Sequence, residues 1–374
     1  IKNNVYGFES DSEISEKTVI IDPVPIRLWG SYFYKYIGGE DILKIKTDQN
    51  NNVFFIGQSY VNYNIATNGV FQSSGNYDIE NSFLTKFDQN GNRSWTTYIS
   101  NNPTPAFVKD FVINSSNELY VVGSTYSGQE VGQDEILSTP GCHKKKCSFF
   151  DRDGFILKFN NNGLRIWGTY FGGNKPEYIN SITLDSSENL IFAGITNSKD
   201  QISTNSSFQE SYPHSSDFYG SGFFCKFSPS GMQLYGSYFN GKINLCSIDN
   251  NDNIYFSGQY FEEDEYPKIS TPNAHQTTCN YLDIFLTKFN SNFSKQWCTY
   301  YGGNSTDNCS SLEIDDNNNI YLIGTTNSSN NIATVGSYKD ILPTGNVNGF
   351  IAKFKTDGTR LWGTYYGGEN KYST

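Results

Sequence analysis

No stretch of this chain approaches the roughly 20 consecutive apolar residues that a bilayer-spanning helix needs, so a span of that kind is excluded. Basic clusters are equally scarce. The longest Lys/Arg run is the three lysines at 144–146 and the net charge is −11, which makes nucleic acid and anionic membrane surfaces poor partners. The only histidines are His143, His214 and His275, and no H-x-x-x-H or H-E-x-x-H pair sets two ligands on one metal. Neither a G-x-S-x-G nucleophile elbow nor a phosphate-binding loop is present, so no catalytic residue is assigned. Methionine occurs once and only 17% of the 374 residues are charged. Aromatic residues make up 16%, and there are 34 glycines, the composition of a β-rich globular protein with many turns and few helices. The chain begins with Ile and shows no basic-then-apolar signal segment, which reads as a processed product or an excised piece of a longer one.

Tryptophan is rare but regular. The stretches LWGSYF (28–33), SWTTYIS (94–100), IWGTYFGG (166–173), LYGSYFNG (234–241), QWCTYYGG (296–303) and LWGTYYGG (361–368) align Trp29, Trp95, Trp167, Tyr235, Trp297 and Trp362. Ahead of the last five runs a second element, such as FLTKFDQNGN from Phe83 or FILKFNNNGL from Phe155. A third, such as NNVFFIG or NNIYLIG, ends at Gly57, Gly123, Gly194, Gly258 and Gly324. Each unit therefore holds four short segments rich in aromatic and β-branched residues, separated by Asn, Asp, Ser and Gly, and these read as strands A to D. In the third unit they fall near 178–184, 189–195, 222–227 and 233–239, with tight hairpins joining A to B and C to D. Four antiparallel strands repeating every 65 residues or so predict an all-β fold, a β-propeller of four-stranded blades. Periodic bulky residues fill the wedge between blades, so Trp29, Trp95, Trp167, Tyr235, Trp297 and Trp362 are expected to be structural core.

The W-G-T-Y-F-G-G element, the D-x-x-x-N-I-Y-x-x-G hairpin, the G-F-I-x-K-F strand and the loop element STPGC (138–142) or STPNAHQ (270–276) resemble the SBBP-type β-propeller repeats of bacterial surface and secreted proteins. That resemblance implies an exported protein, extracellular or at the cell surface, often beside further domains of a longer polypeptide. Five complete units cover about 41–100, 107–171, 178–239, 242–301 and 309–368 of a single domain. Residues 1–36 add KTVIIDP and IRLWGSYF, which match strands C and D and favour six blades, with these as outer strands of the closing blade. Five blades, or a larger ring cut short, are the alternatives.

Up-and-down blades put the B–C loops and D–A linkers on one rim. The B–C loops are long and unlike one another, which is where binding surfaces are built on rigid scaffolds. Their Tyr126, Tyr212, Tyr260, Glu263, Asp264 and Tyr266 form the expected ligand face, suited to a glycan or protein partner. The recurring Asp48, Asp185, Asp249 and Asp315 have the oxygen chemistry of calcium ligands, but their place at A–B turns suits hairpin capping better. Cys142 and Cys147 flank HKKK and suit a local disulfide in an oxidising compartment. Cys225 and Cys246 sit at apolar strand positions as buried thiols, and two of Cys279, Cys298 and Cys309 are near enough in sequence to pair. The function expected is a non-catalytic extracellular binding, adhesion or scaffold propeller; the alternative is a glycan-active hydrolase or lyase with acids from different blades meeting at the channel mouth.

Overall fold

The computed structural model describes residues 29, 30, 33, 40–60, 65–76, 80–100, 104–126, 135–148, 151–214, 220–261, 267–342 and 347–367. The chain divides into two compact units, Ile1–Phe33 and Tyr34–Thr374. In the first, Trp29 is 38% exposed. The rest of the expected closing strands within 1–36 lies outside the described residues.

The second unit is built of five antiparallel sheets, each ordered A-B-C-D. Blade one comprises β1 (Glu40–Thr47), β2 (Val53–Ser59), β3 (Asn81–Phe87) and β4 (Arg93–Ile99). Blade two comprises β5 (Ala106–Ile113), β6 (Leu119–Tyr126), β7 (Arg152–Phe159) and β8 (Arg165–Phe171). Blade three comprises β9 (Glu177–Leu184), β10 (Leu190–Thr196), β11 (Ser221–Phe227) and β12 (Gln233–Phe239). Blade four comprises β13 (Lys242–Ile248), β14 (Ile254–Phe261), β15 (Leu282–Phe289) and β16 (Lys295–Tyr301). Blade five comprises β17 (Asp307–Ile314), β18 (Ile320–Thr326), β19 (Asn348–Phe354) and β20 (Arg360–Tyr366). The protein is thus an all-β propeller with five blades among the described residues, and the favoured count of six is corrected.

Local chemistry explains the recurring letters. At the A–B turns Asp185 Oδ1 accepts from the backbone N–H groups of Ser187 and Asn189 while Asn189 Nδ2 donates to its carboxylate; Asp48, Asp249 and Asp315 do the same. These carboxylates fasten hairpins. Each strand A carries one β-bulge, opposite the repeated glycine of strand B, as at Ile179 and Gly194. A Cβ on Gly194 would collide with the Tyr178 carbonyl oxygen, and Gly57, Gly123, Gly258 and Gly324 face the same obstacle. Glycine is therefore required by close approach, and the bulge re-aims the inner strand.

Blades stack through strand A. β5 packs on β1–β3, β9 on β5–β7, β13 on β9–β11 and β17 on β13–β15. At three of the four described junctions the strand D tryptophan lies over the glycine of the next C–D turn and donates its indole N–H into that turn. Trp95 donates to Asn161 O (2.9 Å), Trp167 to Pro229 O (3.1 Å) and Trp297 to Thr356 O (3.0 Å), over Gly163, Gly231 and Gly358. Trp95 is buried; Trp167, Tyr235 and Trp297 are part-buried against the inter-blade clusters. Blade five lacks comparable cover among the described residues. Tyr366 is 63% exposed where Phe171, Phe239 and Tyr301 are at most 1% exposed, and β17–β20 do not pack on β1–β4 as consecutive blades pack.

Candidate ligand-binding rim

Half of every B–C loop turns out to be architecture. Having left strand B, the chain runs back along the outer edge of strand D as a strap. Thr139 N–H donates to Gly168 O (2.9 Å) and Tyr170 N–H donates back to Lys144 O (3.0 Å); the same pair of bonds recurs at Thr67/Gln72, Thr204/Gln209, Thr271/Gln276 and Thr334/Lys339. The strap covers backbone groups that an edge strand would otherwise expose. This is the purpose of the STPNAHQ element, and it accounts for two histidines: His143 packs on Phe227 (5.1 Å) and His275 on Phe354 (5.8 Å), as Phe71 and Phe208 pack on Phe159 and Phe289 in their junctions. The glycine of L-W-G is also explained, because a Cβ on Gly168, Gly236 or Gly363 would strike a strap carbonyl.

The loop tips and D–A linkers remain to form a surface. Between blades three and four they enclose a cavity of about 240 Å³, lined by His214, Gly220, Asn240 and Gly241 from one side and Lys242, Gln259, Tyr260, Phe261 and Leu282 from the other. It is open because of Gly220. Strand C opens on Arg152 in blade two and Leu282 in blade four, whereas the corresponding residue in blade three, just ahead of β11, is a glycine at φ 68°, so no side chain fills the space. At the mouth Phe261 is 39% exposed and stacks edge-on with Tyr281 (5.4 Å), which is 67% exposed. Tyr281 is held at φ 69°, a backbone state rare for aromatic residues and one that concentrates at ligand sites. Burial, and then the Lys242 charge, lower the pKa of His214, favouring its neutral form.

The expected ligand-face residues separate here. Tyr260 is buried at the cavity wall, its hydroxyl donating to Pro267 O (3.3 Å) and its ring against Tyr300 (5.1 Å). Tyr212 is half-buried against Tyr238 and His214. Tyr126 is exposed at the neighbouring junction, beside Arg152. Glu263, Asp264 and Tyr266 lie outside the described residues. Sequence reasoning placed Tyr281 among the B–C loop tyrosines but missed Asn240, Lys242, Gln259 and Phe261; the available signal was the glycine at 220 where other blades carry a side chain.

Carboxylate pairs from adjacent blades do exist, but they are enclosed. Asp153 and Glu177 are both fully buried, with Lys144 Nζ 2.8 Å from Asp153 Oδ2 and donating also to Gly172 O and Gly173 O. Glu177 accepts from Thr196 Oγ1 (2.6 Å) and from Gly173 N–H (3.2 Å). Burial pushes its carboxyl up to about 8, against the pull of the Ser198 and Thr196 hydroxyls. Between blades four and five Asp283 and Asp307 repeat the arrangement, with Gln276 in place of the lysine and donating to Asp283 Oδ2 (2.9 Å). The Gly-Gly that ends the W-G-T-Y-F-G-G motif lies against these acids: a Cβ on Gly172 would strike Glu177, and one on Gly302 would strike Asp283 and come within 2.8 Å of Asp307 Oδ2.

The disulfide expected between Cys142 and Cys147 is not formed, and all seven cysteines are free. Cys147 is buried with its Sγ 3.7 Å from Thr125 O, whereas Cys142 sits part-exposed on the strap turn. Cys279, Cys298 and Cys309 are likewise separate buried thiols.

With this geometry in place, residues 296–332, from strand D of blade four to the strap of blade five, match the SBBP model, described as a β-propeller repeat. The chain carries an SBBP repeat. Over 399 aligned residues it is 22% identical to the uncharacterized WD repeat-containing protein L264 of Acanthamoeba polyphaga mimivirus, covering 87% of this chain and 28% of that protein's length. Among solved structures it is similar to the Pan2 WD40 domain of Neurospora crassa (6% identity, TM-score 0.43, 87% of this chain and 66% of that one). It is also similar to CoXyl43, a β-xylosidase/α-arabinofuranosidase from a compost metagenome (10% identity, TM-score 0.39, 88% and 96%).

Proposed function

We propose that this SBBP-repeat propeller is a non-catalytic binding module, working outside the cell or on its surface, whose B–C rim receives a glycan or protein partner at the cavity between blades three and four. One observation carries the reading. The cavity of about 240 Å³ has exposed aromatic faces at its mouth, Phe261 and Tyr281, and the polar residues Asn240, Gln259 and Lys242 in its lining. Apolar walls with a few convergent polar groups are the general character of ligand sites. The hydrolase reading has less support, since the acid pairs Asp153/Glu177 and Asp283/Asp307 are fully buried, away from any substrate. A glycan and protein array probed with the native protein and with Phe261→Ala tests the proposal. Retained folding with loss of the bound partner supports it; a partner bound equally by both proteins overturns the assignment of the site.

A further inference from the structure

The junction between blades two and three holds a different arrangement on the same rim. Arg152 opens β7, and its guanidinium lies over three rings: Tyr126 at 4.1 Å, Phe107 at 4.8 Å and Tyr178 at 5.0 Å from their centroids. Such a cage holds the cation flat and in place. No described residue gives the guanidinium a hydrogen-bond acceptor. The Nε atom is buried without a partner, and no ion pair reaches Arg152 among the described residues. The other described arginines are used structurally: Arg93, Arg165 and Arg360 each donate to strap carbonyls. In blades one, three, four and five the position of Arg152 is held by Glu80, Gly220, Leu282 and Val347, so the repeat itself does not demand an arginine there.

We infer that Arg152 and Tyr126 form an anion-recognising subsite for a uronate-bearing glycan. A guanidinium is a planar fork of N–H donors that matches a carboxylate in two parallel bonds. Tyr126 is 42% exposed beside it and offers an aromatic face to the apolar side of a pyranose ring. A carboxylate at the terminal N–H groups gives Arg152 an acceptor that no described residue supplies, and the ring contact favours a sugar acid over an isolated anion. The chain's net charge of −11 opposes a long polyanion, but that field is screened beyond about 8 Å at physiological ionic strength. A short oligouronide is therefore the fitting ligand. This inference rests on its own residues and stands apart from the cavity at blades three and four.

The test is calorimetric titration of the whole protein with tetragalacturonate and with its fully methyl-esterified form, which keeps the sugars and removes the charge. Saturable binding of the acid form is expected, at least about tenfold tighter than the ester, since charge-assisted pairs are the stronger ones. Arg152→Lys keeps the charge but not the fork, and should weaken the acid form by about tenfold with an unchanged melting temperature. Tyr126→Ala should weaken both forms. Should Arg152→Lys fail to fold, Arg152→Met keeps the aliphatic stem and is read in its place. Absence of binding at millimolar tetragalacturonate, equal binding of acid and ester, or binding undiminished in a folded Arg152 variant overturns the inference.

Discussion

The rings of Tyr235 and Phe293 lie parallel, 4.2 Å apart and tilted by 7°, at the junction of blades three and four. The junctions Trp95/Gly163, Trp167/Gly231 and Trp297/Gly358 instead set an indole over a glycine. Where the large residue shrinks to tyrosine, the small one has grown to phenylalanine, which accepts φ 58° at the turn to do so. The two replacements compensate. Phe293→Gly alone should relieve the backbone but lose the stacked ring, and Tyr235→Trp alone should clash with Phe293. Together they rebuild the junction used elsewhere, so a double-mutant cycle by urea denaturation should show a favourable coupling of about 1–3 kcal/mol. Additive single effects would show that the pair is coincidental.

The fold was legible because blade stacking imposes period and chemistry together. The Trp register, the turn aspartates and the strand-B glycines each answer to one contact repeated from blade to blade. The straps were not legible as such: long B–C loops of unlike sequence read as variable binding surface, while half of each is bonded along strand D through backbone groups that any sequence supplies. The cavity depended on a missing side chain, Gly220, whose meaning appears only when Arg152 is seen filling the matching space next door. The acid pairs join residues far apart in sequence, which no spacing rule reveals.

Glu177 makes stability depend on pH. Its carboxyl titrates near 4.5 in the unfolded chain and is pushed up to about 8 in the fold, chiefly by burial. Between those values the native state holds a proton that the unfolded state has released, so this group's contribution falls as pH rises from about 4.5 to 8. The loss is on the order of a few kcal/mol, because each tenfold difference in proton affinity between the two states corresponds to about 1.4 kcal/mol. Glu177→Gln removes it and should be more stable than the parent above pH 8, with a flatter profile below. A stability difference between Glu177→Gln and the parent that does not grow in favour of the variant as pH rises through that window would refute the assignment.

Free thiols predict indifference to reductant. Cys142 is part-exposed, while Cys147, Cys225, Cys246, Cys279, Cys298 and Cys309 are buried. Burial raises the pKa of Cys225, and pushes Cys246 and Cys298 up to about 12, which keeps them as unreactive thiols. A chromogenic disulfide reagent should therefore titrate about one thiol in the native protein and all seven in denaturant, without prior reduction. Melting should be the same with and without dithiothreitol. Two thiols fewer than seven after unfolding would restore the Cys142–Cys147 bridge.

Two glycines separate close approach from backbone conformation as reasons for having no side chain. Gly194 has ordinary backbone angles, but a Cβ there would run into the Tyr178 carbonyl across the bulge. Gly336, on the strap turn of blade five, sits at φ 80° with nothing within 4 Å of the place a Cβ would take. Alanine at Gly336 meets only the left-handed backbone penalty, roughly 1 kcal/mol. Alanine at Gly194 must push apart two paired strands in the middle of a blade, and strained or overpacked core substitutions of that kind cost about 1–3 kcal/mol or more. Urea denaturation of the two variants should therefore rank Gly194→Ala as clearly the more damaging. It should also lower the midpoint without changing the slope, because the fold that remains buries the same surface. The reverse order would mean that the bulge relaxes easily, and that the repeated strand-B glycine is kept for a reason other than contact.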